Sequence, residues 1–349
     1  MKKFISLISL CLAVVMMFSL AACSGKTADE TNNPAETQGT TAAVQESTLP
    51  EGEAVEVYTL KGPTGMGMAQ MIAEEKDKTA PDYNFTVVGA PEDITAAIIN
   101  GDADIAACPV NLASVLYNRT NCGVKILALN TLGVTYIMTN GVEINSIEDL
   151  KGKTIVSAGQ GATPEFILNK LLADSGLTVG EDVTVEYKTE HSDVASLLIS
   201  GEAQIALLPE PQVTTSLVQN ADLKVALDLT KEWETKYGTK LVQGCVIARA
   251  EFVENYAAEV DAFLDNYKDS VAVINTASDE AAQMIVDAGI IPKAPVAKKA
   301  IPGSYITFIA GEDMKSLTKE NLQVLFDAKS ASVGGTLPDD NFYYNYTQK

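Results

Sequence analysis

The strongest constraint on what this chain can fold into is an internal echo. Residues 93–109 read DITAAIINGDADIAACP and residues 193–209 read DVASLLISGEAQIALLP, so at a spacing of 100 seven of seventeen positions are identical. Each copy runs from a helix-period stretch through a glycine and a short acidic linker to an apolar β-branched run and a proline. The parts have local causes. Gly101 and Gly201 can take the positive φ that ends a helix, and Pro109 and Pro209 lack the N–H that would continue a strand ladder. Upstream of each copy another apolar run, 55–61 or 154–158, enters a glycine-rich turn, 62–67 or 159–164, and then a further helix-period stretch. Strands alternating with helices predict parallel α/β units. Two copies are too few for a solenoid, so two lobes are expected.

Beyond the second copy the chain offers a strand at 242–249, long helices at 255–275 and 280–288, a stretch punctuated by Pro292, Pro295 and Pro302, and a closing helix at 314–328. The expected fold class is α/β, with each lobe a sheet flanked by helices. Lobe 1 is expected to span residues 54–139 plus 244–349, and lobe 2 residues 140–243. The chain would then cross between lobes near Thr139-Asn140 and again near Gln243-Gly244. Two such crossings make a hinge, and a hinge implies closure on something.

Lys2 and Lys3 precede a 17-residue apolar run, 4–20, which ends at Leu20-Ala21-Ala22-Cys23. Small residues ahead of a cysteine resemble the bacterial lipobox. The resemblance implies a signal peptide over 1–22, cleavage before Cys23 and a diacylglyceryl chain on that cysteine. From there to residue 53 almost no large apolar side chain occurs, so the segment reads as a disordered tether, reaching about 30 Å as a random coil. Of the later cysteines, Cys108, Cys122 and Cys245 read as buried small hydrophobes, with a Cys108–Cys122 pairing as the alternative.

Charge removes whole classes of function. Across 349 residues the net charge is −21, which repels phosphate backbones, so no nucleic-acid partner is expected. Arginine occurs only at Arg119 and Arg249 and histidine only at His191, too few for a His-based metal site, a Ser-His-Asp hydrolase or an arginine phosphate clamp.

In open α/β sheets ligands bind beyond the carboxyl ends of the strands, at the switch point of strand order. With order 2-1-3 in each lobe, the loops there are 63–67 and 109–112 in the first, 159–163 and 209–212 in the second. All four lead into helix N-termini, whose unpaired N–H groups carry about half a positive charge. The ligand-binding candidates are Thr64, Gly65, Met66, Asn111, Gly159, Gln160, Gly161, Thr163 and Glu210. Glycines let the backbone approach a ligand, Thr64, Gln160 and Thr163 add hydrogen-bonding groups, and Met66 with Met68 offers an adaptable apolar wall. Such loops can hold a sulfonate, carboxylate, nitrate or phosphate group without arginine. Glu210, between two prolines, would accept hydrogen bonds from an amine, an amidine-like ring or a hydroxyl if it faces the cleft. Its alternative role is a helix-start acid favoured by the dipole. His191 reads as a solvated residue preceding a Ser192 cap. Neither glycine-rich turn is G-x-G-x-x-G or is followed by G-K-[ST], so no cofactor is expected.

With its lipobox, tether and doubled α/β body, the chain resembles the substrate-binding lipoproteins of bacterial ABC importers. More narrowly it is similar to the nitrate/sulfonate/taurine/thiamine-precursor cluster, which has the type II periplasmic-binding-protein fold. The residues carrying this are Gly101-Asp102-Ala103-Asp104-Ile105-Ala106, the lobe-opening phrase Ser146-Ile147-Glu148-Asp149-Leu150-Lys151-Gly152-Lys153-Thr154-Ile155, Pro209-Glu210-Pro211, and Leu337-Pro338-Asp339-Asp340-Asn341-Phe342-Tyr343. The resemblance covers about residues 54 to 345. It implies a monomer without enzymatic activity, held on the extracytoplasmic face of the cell membrane by the lipid on Cys23. Such a protein would capture a small polar solute for a cognate permease and ATPase: a sulfonate- or nitrate-like anion, a zwitterion or a thiamine-precursor-like heterocycle. The cysteine-rich motif and active-site histidine of the relatives that make the thiamine pyrimidine have no counterpart. Two other roles stay open at this point: a ligand sensor for a membrane receptor, or an enzyme using Glu210 or His191 as base.

Overall fold

The computed structural model describes residues 48–347 apart from 77, 80, 161 and 162. The signal segment 1–22, Cys23, the tether up to residue 47 and Gly161 lie outside the described residues. Eleven strands follow in chain order: β1 (Val55–Leu60), β2 (Tyr83–Val88), β3 (Ile105–Pro109), β4 (Val124–Leu132), β5 (Thr135–Thr139), β6 (Thr154–Ala158), β7 (Thr184–Lys188), β8 (Ile205–Pro209), β9 (Lys224–Asp228), β10 (Val242–Arg249) and β11 (Ile306–Ala310). They form two sheets, ordered β11-β4-β10-β3-β1-β2 and β7-β6-β8-β5-β9. In the first β1, β2 and β3, and in the second β6, β7 and β8, are parallel and run 2-1-3, as the repeat requires. The echo is structural: the helices Pro91–Asn100 and His191–Ser200 end at Gly101 and Gly201 with φ of 81° and 82°, and β3 and β8 follow in equivalent places.

β3 and β8 are almost wholly buried because helices cover both faces of each sheet. One face of the first sheet packs Val57, Met66, Met68, Phe263 and Tyr267, and the other Ile94, Leu116, Ile126 and Phe342. The second sheet packs Ile137, Ile155, Leu168 and Trp233 on one side, Met138, Val194 and Leu208 on the other. Among the described residues no helix is long and apolar enough to cross a membrane.

The expected crossings need correction. All of β5 pairs within the second sheet, with β8 and β9, so the first crossing is at Gly133 and not at Thr139-Asn140. Val242 already pairs with Leu132 in the first sheet, which moves the second crossing from Gln243-Gly244 back to Leu241. An apolar run shows that a strand exists but not which sheet it joins, and only Gly133 marks the break between β4 and β5. There the two crossings touch: Gly133 N–H donates to the Leu241 carbonyl over 2.8 Å, and Thr230 Oγ1 donates to the Gly133 carbonyl over 2.7 Å.

A third tie was not visible in the sequence. Residues 302–305, which enter β11, bind both lobes: Leu132 N–H donates to the Tyr305 carbonyl over 3.1 Å, and Tyr136 of β5 donates from its hydroxyl to the Gly303 carbonyl over 2.6 Å. Cys108 and Cys245 are buried opposite each other on β3 and β10, whereas Cys122 is exposed. All three are free, so the Cys108–Cys122 pairing is not formed.

A Cβ on Gly133 would come within 2.6 Å of Leu241 Cδ2 and closer still to Thr230 Oγ1. Gly133→Ala is therefore expected to cost about 1–3 kcal/mol, read as a lowered Tm. An unchanged Tm would show that the crossing is not tightly packed.

Candidate functional site

The loop after β1 turns at Gly62 into the short helix Pro63–Met66. Thr64 is half-buried, and its carbonyl accepts a hydrogen bond from Asn130 Nδ2 at 3.1 Å. Gly65 and Met66 do not serve as expected. Gly65 is buried, and a Cβ there would collide with the Leu60 carbonyl, so its small size packs the turn against its own strand. Met66 is fully buried together with Met68 in the core that also holds Tyr267. The apolar wall is thus core. An apolar residue one turn into a strand-to-helix bend meets the sheet before it meets solvent.

After β3, Pro109 enters the helix Val110–Arg119, whose start has no side-chain cap. Asn111, in its first turn, is half-buried and donates from Nδ2 to the Ser332 carbonyl at 3.4 Å. In the second lobe β6 ends at Gly159, with φ of 75°, followed by the exposed Gln160. The helix Thr163–Asp174 then begins with the buried Thr163. Thr163 Oγ1 lies 3.5 Å from Asn111 Oδ1. First turns of helices from opposite lobes therefore meet through these side chains. Nearby, a Cβ on Gly62 would sit 4.0 Å from Pro211 Cδ, which brings the remaining two loops together. Phe166, one turn beyond Thr163, is buried among first-lobe side chains including Leu116 and Met314.

None of the stretches 63–67, 109–112, 159–163 and 209–212 contains a lysine, arginine or histidine. Any positive potential in this region comes from backbone N–H groups at helix starts. His191 opens its helix, with Glu190 at the cap position, and is half-buried rather than solvated. Among the described residues its Nδ1 has no partner, and burial holds its pKa below the ordinary value.

Glu210 is 6 % exposed, and its peptide bond to Pro211 is cis. The carboxylate takes the helix-start role: it accepts the Thr214 N–H at 3.1 Å and the Thr214 Oγ1 hydroxyl at 2.9 Å. It opens on a groove with Tyr136, Val225 and Lys299, which none of Thr64, Asn111, Gln160 and Thr163 lines. Burial pushes its pKa up to about 7, against the opposing pull of the Thr214 donors.

Two residues at this site were missed in the sequence. Asn130 is fully buried at the end of β4, supporting Thr64 from behind and accepting the Thr131 hydroxyl at 3.0 Å. Its only signal was an amide closing an otherwise apolar run. Phe166 gave none, because an apolar residue on an amphipathic helix does not announce that it packs across a lobe boundary.

Residues 67–264 match a family described as ABC transporter, phosphonate, periplasmic substrate-binding protein. Among solved structures, an ABC transporter protein from Parabacteroides distasonis is 20% identical with a TM-score of 0.73, over 84% of this chain and 99% of that one. The periplasmic aliphatic sulphonate binding protein of Escherichia coli is 17% identical with a TM-score of 0.68, over 85% and 94%. The periplasmic nitrate-binding protein of Synechocystis PCC 6803 is 12% identical with a TM-score of 0.57, over 80% and 84%. Among curated proteins none matches. The two-lobed fold is shared with these structures.

The raised pKa of Glu210 has a signed consequence. An acid that titrates near 7 when folded and near its ordinary 4.5 when unfolded binds more protons folded, so stability is greatest below 4.5 and falls as pH rises through 7. The loss for this group is on the order of 3 kcal/mol. Glu210→Gln should therefore be relatively more stable than the parent at pH 8 than at pH 5 in urea melts. An identical difference at both pH values would contradict the burial argument.

Proposed function

This chain belongs to the phosphonate-type family of periplasmic substrate-binding proteins of ABC transporters, and from that premise we propose that it captures a small oxyanion-bearing solute where the four loops meet. Substrate-binding proteins of such importers take up small molecules and work with a permease and an ATPase. The observation that carries the reading is the Asn111–Thr163 contact, which sets the first turns of two helices from opposite lobes against each other. Among the described residues the first-lobe helix has no side-chain cap, so its first N–H groups need an acceptor. A phosphonate, sulfonate or nitrate supplies several acceptor oxygens and the negative charge that helix starts favour.

In this reading Thr64, Asn111 and Thr163 contribute side chains, and Gly159 and Gln160 backbone N–H groups. Asn130 fixes Thr64, and Phe166 seals the lobes. Gly65 and Met66 shape the turn from below, and Glu210 lies outside the contact set. Because Coulomb attraction to partial charges is modest, specificity rests on hydrogen-bond geometry and on exclusion of water when the lobes close. Rocking about Gly133 and Leu241, limited by the tie at 302–305, would open the cleft. The lipid on Cys23 and the tether would keep a monomeric body near the extracytoplasmic face of the membrane, within reach of the permease.

Calorimetry with methylphosphonate, an alkanesulfonate and nitrate tests the reading. At least one should bind, and Asn111→Ala with Thr163→Ala together should weaken it about tenfold or more, since charge-assisted hydrogen bonds are worth roughly 1.5–3 kcal/mol each. Binding untouched by the double change, or no binding at all, would count against it. For the anchor, metabolic labelling with a radioactive fatty acid should mark the parent and not Cys23→Ser, and equal labelling would refute it.

A further inference from the structure

Beside the crossings a groove of about 370 Å³ runs between the second-lobe helix Gln212–Gln219 and the first-lobe helix Ala294–Ala300. The second lobe lines it with Val213, Leu217, Val218, Val225 and the Glu210 carboxylate, and the first lobe with Lys299. Two features set it apart from ordinary surface. Among the described residues five large apolar side chains are exposed, and two of them stand here, Val218 at 52 % and Val225 at 42 %. Single exposed apolar residues are common, but a pair beside the half-buried Leu217 and the buried Val213 makes a continuous apolar wall.

The second feature is the carboxylate. Ionised, it has about four acceptor positions, and Thr214 fills two of them. Burial and Thr214 are the influences on it, and among the described residues no lysine or arginine pairs with it. Across from it stands a residue without a side chain: a Cβ on Gly303 would come 2.9 Å from Glu210 Oε1. Lys299 is exposed on the opposite lobe and forms no ion pair among the described residues, unlike its neighbour Lys298, which pairs with Asp279 at 2.9 Å.

We propose that this groove is a second small-molecule site, taking an α-amino acid with an aliphatic side chain: its ammonium on Glu210, its carboxylate toward Lys299, and its side chain on Val213, Leu217, Val218 and Val225. A simple amine would leave Lys299 unanswered and repelled, and a simple acid would face Glu210. A zwitterion with an apolar body complements all three features. Each end of the occupant rests on a different lobe, so filling the groove favours the closed arrangement and tightens whatever the four loops hold. The site shares no lining residue with the Asn111–Thr163 contact and stands independently of the oxyanion reading.

Titration of the full chain with L-leucine, followed by methyl NMR and calorimetry, tests this. Saturable shifts are expected at Val213, Val218 and Val225. Affinity should fall about tenfold with Glu210→Gln and also with Lys299→Met, as loss of one charge-assisted partner implies, and the Asn111→Ala/Thr163→Ala double variant should still show saturable leucine shifts at Val213, Val218 and Val225. Lys299→Met touches no helix cap, so it keeps the test decisive should Glu210→Gln loosen its own helix. Absence of saturable shifts at millimolar leucine, affinity unchanged by Lys299→Met, or leucine binding lost in the double variant would each overturn the proposal.

Discussion

Parallel strands put every following helix start on the same edge of a sheet, and the rest of this molecule follows from that constraint. In both lobes the strands in 2-1-3 order deliver two loops to one edge, so four helix N-termini gather without any side chain having to steer them. The antiparallel strands β5 and β10 then lie beside β8 and β3, each reached by a crossing, and this arrangement sets the two edges against one another. A chain with only two arginines can in this way present positive potential to a solute, because the potential resides in the backbone.

That economy explains the division of roles among the polar residues. Asn130 and Thr131 are spent on holding the Thr64 turn, and Glu210 gives two of its acceptor positions to Thr214 at the start of the helix that opens at Gln212. Asn111 and Thr163 already touch across the lobes. In the proposed reading a solute entering there would meet partners that are held in place, which lowers the entropy lost on binding.

The repeat at 93–109 and 193–209 made the doubled α/β architecture legible, because its glycines and prolines act through local backbone geometry that needs no tertiary partner. The same holds for the positions of the four loops. Side-chain fate was less readable. Met66 and Glu210 both stand in loops at the correct edge, yet one turns into the core and the other toward its own helix, and local sequence carries no record of which way a side chain leaves a bend. The crossings were misplaced by several residues for a related reason: β4 and β5 are similar apolar runs, and their assignment to different sheets depends on contacts with Leu241 and Thr230 that lie about a hundred residues away. The tie at Tyr305, with φ of 45°, is likewise a product of packing rather than of a turn motif.

The central claim is that backbone amides from helices of both lobes hold the solute. Amide NMR during titration with methylphosphonate, or with whichever oxyanion proves to bind, addresses it most directly. The account requires concerted downfield shifts of the first-turn amides near Asn111 and near Thr163, saturating at the same concentration. Shifts confined to one lobe, or centred on the helix capped by Glu210, would contradict it.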